Sequence, residues 1–398
     1  MFDVFLSNLD ILFIEAIKLI KKIFITLIVV CLLPITSVKA VDNDVTPNAR
    51  AAILIEANSK QVLYDKNSSE KLYPASTTKI MTMILMFEAI RDKKLSFEDE
   101  ITTSKYAASM GGSQVYLEQG ESMSLKDMFK SIAIASANDA SVAVAEHIAG
   151  SIDKFVAMMN DKAKELNLKN THFKNATGLH DDDHYTCAHD LALMAAYLIQ
   201  IGGDDLLNVT SLYDSYIREN TKQSFWLVNT NKLLKLYDGV DGLKTGYTKE
   251  AGYCLVTTAK RNNQRIIGVL MKESAPKTRN EEMCSMLDYG FNNYKQEIIF
   301  KKDTVIEKHV INKMDNLTID VKCKQDVAFT KAKNSNDKYT TEIIYKDNLL
   351  PVKKGDVVGT LIVTIGGKEA GSYEVYSDND ANKATYFSKL FKTFRSLF

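Results

Sequence analysis

The sequence predicts a mixed α/β (α+β) fold followed by a separate small β-rich domain, and three observations carry that reading. Strand-like runs flank a long first region: Ala51 to Asp65 reads as a hairpin turning at Asn58-Ser59, and Val240 to Tyr247, Tyr253 to Ala259 and Ile266 to Met271 are β-rich. Between them apolar residues recur at helical spacing. From Phe300 onward the pattern changes: Leu317, Ile319, Val321 and Cys323 alternate with polar residues, Ile343 to Tyr345 and Val357 to Ile365 are strand-like, and Gly366-Gly367 marks a hairpin turn. With 398 residues and 45% hydrophobic content, the chain is long enough for two or three domains, each with its own core.

In chain order, Lys18, Lys21 and Lys22 precede the apolar run Ile23 to Leu33, then Pro34 and Val38-Lys39-Ala40. A basic segment, a short apolar segment and a small-residue site read as a secretory signal over residues 1–40, cleaved after Ala40; an uncleaved membrane anchor is the alternative. Either way the remainder is exported. The helical readings are Ile80 to Phe87, Leu125 to Ala135, Asp139 to Ile148, Phe155 to Leu166, Ala188 to Gln200 and Arg279 to Tyr294. These elements place a first domain at 41–296, a β-rich domain at 297–380 and a helix at 381–398. In the last segment Phe387, Leu390, Phe391, Phe394, Leu397 and Phe398 share one face and Lys389, Lys392 and Arg395 the other, the pattern of a helix lying in a membrane interface. The same stripe could instead dock on protein.

Composition excludes some functions. Lys plus Arg equal Asp plus Glu at 50 each, so no excess positive charge favours nucleic acid as a partner. Beyond Cys31 in the signal, Cys187, Cys254, Cys284 and Cys323 are widely spaced and read as small core residues. His180 and His184 stand four apart with acids between them, but in loop composition and without a zinc-peptidase arrangement, so no metal is expected and no cofactor either.

Three short elements carry chemistry. Ser76 and Lys79 open an apolar helix three residues apart, so the amine can reach the hydroxyl; a desolvated lysine could then serve as base for a serine nucleophile. The spacing alone is ambiguous, since it recurs at Ser68, Ser151, Ser274 and Ser335, and a helix-capping serine gives the same pattern. Ser136-Ala137-Asn138 interrupts two apolar helices, either as a turn or as polar groups facing a cleft. Lys244-Thr245-Gly246 occurs once, on a strand suited to an anionic ligand: ammonium and hydroxyl for a carboxylate, and glycine for close approach.

In this order the three elements are the signature of penicillin-binding proteins and class A β-lactamases. With Gly112-Ser113, Asn175-Ala176-Thr177-Gly178-Leu179, Asp241-Gly242-Leu243 and Ala251-Gly252-Tyr253, the chain from Val45 onward resembles the serine D-alanyl-D-alanine carboxypeptidases, the low-molecular-mass penicillin-binding proteins. The resemblance implies a serine β-lactamase/DD-peptidase-like domain, with a helical subdomain beside a five-stranded antiparallel sheet, then a β-rich domain and an amphipathic anchor. It also implies removal of the terminal D-alanine from peptidoglycan stem peptides through an acyl-enzyme, at the outer face of the bacterial cytoplasmic membrane or in the wall, with β-lactams as covalent inhibitors.

By motif position it makes Ser76 the nucleophile, Lys79 its base and Ser136 a proton shuttle. Asn138 would hold the substrate amide, Lys244, Thr245 and Gly246 the terminal carboxylate and adjoining backbone, and the N–H groups of Ser76 and Tyr247 the oxyanion. Tyr247 and His189 differ from residues found in some relatives, and either His189 or Arg279 could supply a further cation. A literal Ser377-Asp378-Asn379 lies beyond the Lys-Thr-Gly strand and is set aside. A β-lactamase is the competing enzyme, but Ala163 stands where its deacylating glutamate belongs; a catalytically silent wall-binding protein is the competing non-enzyme.

Overall fold

The computed structural model describes residues 44–382, apart from 220, 313–316 and 337. The expected signal and nearly all of the expected C-terminal helix lie outside the described residues. Five antiparallel strands form the main sheet: β1 (Ala51–Glu56), β2 (Val62–Lys66), β3 (Val240–Thr248), β4 (Gly252–Arg261) and β5 (Gln264–Glu273), in the order β2-β1-β5-β4-β3. β1 is buried throughout because both faces of the sheet are covered. Side chains alternate across a strand, so Ala51, Ile53 and Ile55 join the core under the helical region while Ala52 and Leu54 join a second core on the other face.

The helical region comprises α1 (Lys79–Arg91), α2 (Leu125–Ala133), α3 (Asn138–Ala149), α4 (Ile152–Glu165) and α5 (Ala188–Thr210). α1 is apolar nearly all round and is buried from Lys79 to Ala89, as a helix surrounded by other elements must be. Phe87 anchors it, edge-on to Phe129 of α2 at 5.2 Å between ring centroids. α6 (Pro276–Asn293) covers the other face with Met283, Met286 and Leu287.

Several expected boundaries shift for local reasons. α6 starts at Pro276 rather than Arg279, because proline suits the first helical turn. α5 continues past Gln200 to Thr210, across a non-helical Gly203. α2 stops at Ala133, two residues short of the expected end, as the chain turns to enter α3 at Asn138.

The β-rich part contains β6 (Tyr294–Phe300), β7 (Val305–Asn312), β8 (Leu317–Lys322), β9 (Val327–Ala332), β10 (Tyr339–Tyr345), β11 (Val357–Ile365) and β12 (Lys368–Ser377). β6 pairs with β9, and the others form a sheet in the order β7-β8-β12-β11-β10. The alternating residues Ile319 and Val321 fill its core with Leu361, Val363 and Val375. The described residues from Val45 onward belong to one compact unit. Among the described residues no helix is long and apolar enough to cross a membrane.

Candidate active site

Ser76 sits in a single 3-10 turn, Ala75–Thr78, that runs directly into α1, so Lys79 is the first α-helical residue. The turn is fixed from several sides. Thr77 Oγ1 donates to the Pro74 carbonyl at 2.7 Å, and Thr78 Oγ1 lies 2.8 Å from His184 Nε2. His184 Nδ1 accepts from the Lys174 amide, and burial holds the imidazole down at about 4, so the neutral ring carries its proton on Nε2 and donates to Thr78. The histidine pair of the sequence is thus used structurally: His180 packs edge-on to Tyr73.

Lys79 is 0% exposed, and its amine meets three acceptors: Ser76 Oγ at 3.0 Å, Asn138 Oδ1 at 2.7 Å and the Thr177 carbonyl at 2.7 Å. Burial, then the nearby Lys244 charge, push its pKa well below the ordinary lysine value, with Asp139 opposing. The partners come from separate segments. Asn138 opens α3, donates through Nδ2 to the Gly111 carbonyl at 2.7 Å, and donates its backbone N–H to Ser113 O at 2.7 Å. Asp139 beside it accepts from the Val115 and Leu117 amides at 3.0 and 3.1 Å and so pins the loop that frames Asn138. Ser136, buried at the entry to α3, takes a left-handed φ of 64°, a conformation held by the structure around it.

Thr177 presents its carbonyl because Asn175 Oδ1 accepts from Thr177 N, Thr177 Oγ1 and Gly178 N at 3.1, 3.1 and 2.7 Å. Gly178 has φ +85°, and a Cβ there would lie 1.8 Å from the Ala75 carbonyl oxygen. Only glycine lets this turn rest against the residue before Ser76.

β3 is an edge strand of the sheet and runs past the same turn. A Cβ on Gly246 would lie 2.8 Å from Pro74 O and 3.0 Å from Ser76 N. Lys244 is buried, donates to Thr245 O at 3.0 Å, and is pushed down to about 7 by burial and by the Arg279 charge. Arg279, on α6, is itself buried and hydrogen-bonds Asn280 Oδ1. Among the described residues neither cation forms a salt bridge, although the Glu273 carboxyl group acts on Arg279 electrostatically. Thr245 Oγ1 donates to Thr230 Oγ1 at 2.7 Å, and Tyr247 is exposed, stacked on Tyr253 at 4.3 Å.

The sequence of the D-alanyl-D-alanine carboxypeptidase family, peptidase S11, matches residues 37–275, and a penicillin-binding protein 5 C-terminal domain matches 294–383. The chain belongs to the D-alanyl-D-alanine carboxypeptidase family. It is 45% identical to D-alanyl-D-alanine carboxypeptidase DacF of Bacillus subtilis over 88% of this chain and 90% of that one. It is 32% identical to DacA of Haemophilus influenzae, over 87% and 89%. Among solved structures it resembles penicillin binding protein 5 from Haemophilus influenzae, at 29% identity, with a TM-score of 0.69 over 84% of this chain and 98% of that one. Like other members of the carboxypeptidase family, it is a serine peptidase and a hydrolase.

Within that family frame, the structure links Ser76 and Asn138 through the Lys79 amine and lays the Lys244 strand alongside. The other Ser-x-x-Lys serines have local duties where their bonds are defined: Ser68 donates to Asp65, and Ser151 caps α4. Asp378 of the literal Ser-Asp-Asn pairs with Lys322 and Lys354. The cation acting on Lys244 is Arg279, whereas His189 faces Asp190. The sequence reading missed the Thr177 carbonyl; the Asn-Ala-Thr-Gly run, whose asparagine and glycine build a tight turn, was the available signal.

Proposed function

We propose that Ser76 attacks the carbonyl of the penultimate D-alanine of a peptidoglycan stem peptide, with Lys79 as base. The carrying observation is the Lys79 amine. In its neutral form it has two hydrogens and one lone pair; Asn138 Oδ1 and Thr177 O, both at 2.7 Å, take the hydrogens and leave the lone pair for the Ser76 hydroxyl at 3.0 Å. Burial favours that neutral form.

Ser76 Oγ adds to the carbonyl as its proton passes to Lys79, and the oxyanion is held by the N–H groups of Ser76 and Tyr247. Ser136 relays the proton to the leaving nitrogen, the C–N bond breaks, and free D-alanine departs. Water then attacks the Ser76 ester with Lys79 again as base, releasing the shortened peptide. Lys244, Thr245 and Arg279 receive the terminal carboxylate, Gly246 lets the substrate backbone lie close, and Asn138 contributes its amide once Gly111 O shares it.

β-Lactams present a carbonyl and a carboxylate to the same groups and acylate Ser76, but the tethered leaving group stays in the site. A class A β-lactamase clears such an adduct with a glutamate-positioned water. Here Ala163 occupies that register, buried in α4, and Glu165 points to Lys162 at 2.5 Å. Slow penicillin turnover follows.

The test pairs labelling by a fluorescent penicillin with D-alanine release from a peptide ending in D-Ala-D-Ala. Wild type should be labelled and release D-alanine, and Ser76→Ala should do neither. Fast penicillin turnover without D-alanine release would favour a β-lactamase. Absence of both activities in the wild type would favour the silent binder.

The family acts on peptidoglycan outside the cytoplasm. We place this member at the outer face of the membrane, held peripherally by 381–398, on the strength of the opposed aromatic and basic faces in the sequence. Deleting 381–398 should move the protein from the membrane pellet to the supernatant with activity retained; continued sedimentation would refute the anchor.

A further inference from the structure

A cavity of about 510 Å³ lies where the β1–β2 turn and the β4–β5 turn meet the β-rich part. Gln296 at the start of that part donates to Glu56 at 3.3 Å, which ties the two sides together. The lining is strongly cationic in a chain with no net charge: Lys60, Lys260, Arg265 and Lys324 against a single acid, Glu374. Arg265 is already committed, bidentate to Asp241 at 2.8 Å for both bonds. Glu374 is engaged by the Tyr376 hydroxyl at 2.6 Å, and the Lys324 amine rests over the Tyr376 ring at 3.9 Å.

Lys60, Lys260 and Lys324 remain. They come from three separate segments, are exposed to solvent, and among the described residues make no ion pair with any carboxylate. Three like charges gathered at one concavity repel one another, and an anion relieves that cost. The same lining also holds Asn58, Asn263, Gln325 and Ser372, neutral groups able to hydrogen-bond the remaining oxygens of a multi-oxygen anion. The volume falls within the range of small-ligand sites, far more than one ion needs.

We propose that this cavity binds a phosphate-bearing polyanion, bridging the catalytic part and the β-rich part through Lys60, Lys260 and Lys324. The site is separate from the chemistry. Lys244 pairs in register with Val256, and Lys260 lies four residues further along β4, roughly 13 Å at strand spacing. Occupancy should therefore leave the acylating serine accessible while it ties the two parts together and stabilises the folded chain.

Inorganic tripolyphosphate is the probe, added to the purified protein and followed by calorimetry and by thermal unfolding, with citrate as the carboxylate control. We expect saturable binding, a raised Tm and affinity that falls with salt. The combined variant Lys60→Gln, Lys260→Gln, Lys324→Gln should lose at least about tenfold in affinity and still be labelled by penicillin at the wild-type rate. Vesicles of phosphatidylglycerol and of phosphatidylcholine separate the sources: wild-type binding to the anionic vesicles that drops in the triple variant identifies a lipid headgroup. Binding to tripolyphosphate with no such vesicle difference identifies a soluble phosphate. Absence of saturable tripolyphosphate binding, unchanged affinity in the triple variant, or equal affinity for citrate would overturn the proposal. Labelling at Ser76 is read independently, so failure here leaves the catalytic assignment standing.

Discussion

Replacing Gly246 by alanine tests whether β3 lies against the nucleophile as tightly as drawn. The added methyl would sit 2.8 Å from Pro74 O, 3.0 Å from Ser76 N and 3.1 Å from Ala75 Cβ, where ordinary contact begins at 3.4 Å, so the worst shortfall is 0.6 Å. Two of these neighbours are backbone atoms and the third is a Cβ, so none can swing aside. The strand or the turn has to move by about half an ångström. A displacement of 1 Å in an active site costs on the order of a hundredfold. The second-order acylation rate should therefore fall by between about tenfold and a hundredfold, or roughly 1.4 to 2.7 kcal/mol in activation free energy. Gly111→Ala is the matched control, since a Cβ there meets nothing within 4 Å. Both variants are assayed by fluorescent-penicillin acylation, D-alanine release and Tm. Wild-type acylation by Gly246→Ala at an unchanged Tm would refute the close approach of β3 to Ser76.

Two further outcomes rest on buried ionisable groups. Acylation should rise with pH as Lys79 gives up its proton, then decline above about 7 as Lys244 loses the charge that attracts the substrate carboxylate; Lys244→Gln should raise KM and flatten the alkaline limb, and an unchanged limb would remove Lys244 from carboxylate binding. Glu273 lies buried against Glu282, and burial together with that neighbour raises its pKa to about 8. Its protonated form contributes stability that is full below the unfolded value near 4.5 and is lost as pH rises through about 8. Tm should decline across that window, and Glu273→Gln, which keeps a hydrogen to share with Glu282, should flatten the decline.

Much of this architecture could be read from the chain because its determinants are local. The apolar run from Ala51 to Ile55 ahead of the Asn58-Ser59 turn signalled a strand, and the three-residue spacing of Ser76 and Lys79 already placed the amine within reach of the hydroxyl. What stayed hidden depends on distant parts of the chain. The Thr177 carbonyl is a backbone atom that no residue type marks, and Lys79 reaches it across 98 positions. Arg279 gained its place beside Lys244 through the packing of α6 on the sheet, which no local pattern encodes. The left-handed Ser136 follows from how α2 and α3 are joined. A serine there gives no sign of it.

The register of β1 has a consequence for how the molecule comes into being. One edge of this strand is satisfied early by β2, but the other waits for β5, with Ala51 opposite Met271. Until residues 264–273 emerge, a buried-type strand shows an open, apolar edge, the feature by which unfinished chains stick to one another. The three acceptors of the Lys79 amine also assemble only when segments 59 and 98 residues downstream have docked. A growing or translocating chain is therefore without catalytic power for most of its length. Products that stop short of β5 should aggregate or be degraded, with no partial activity to show.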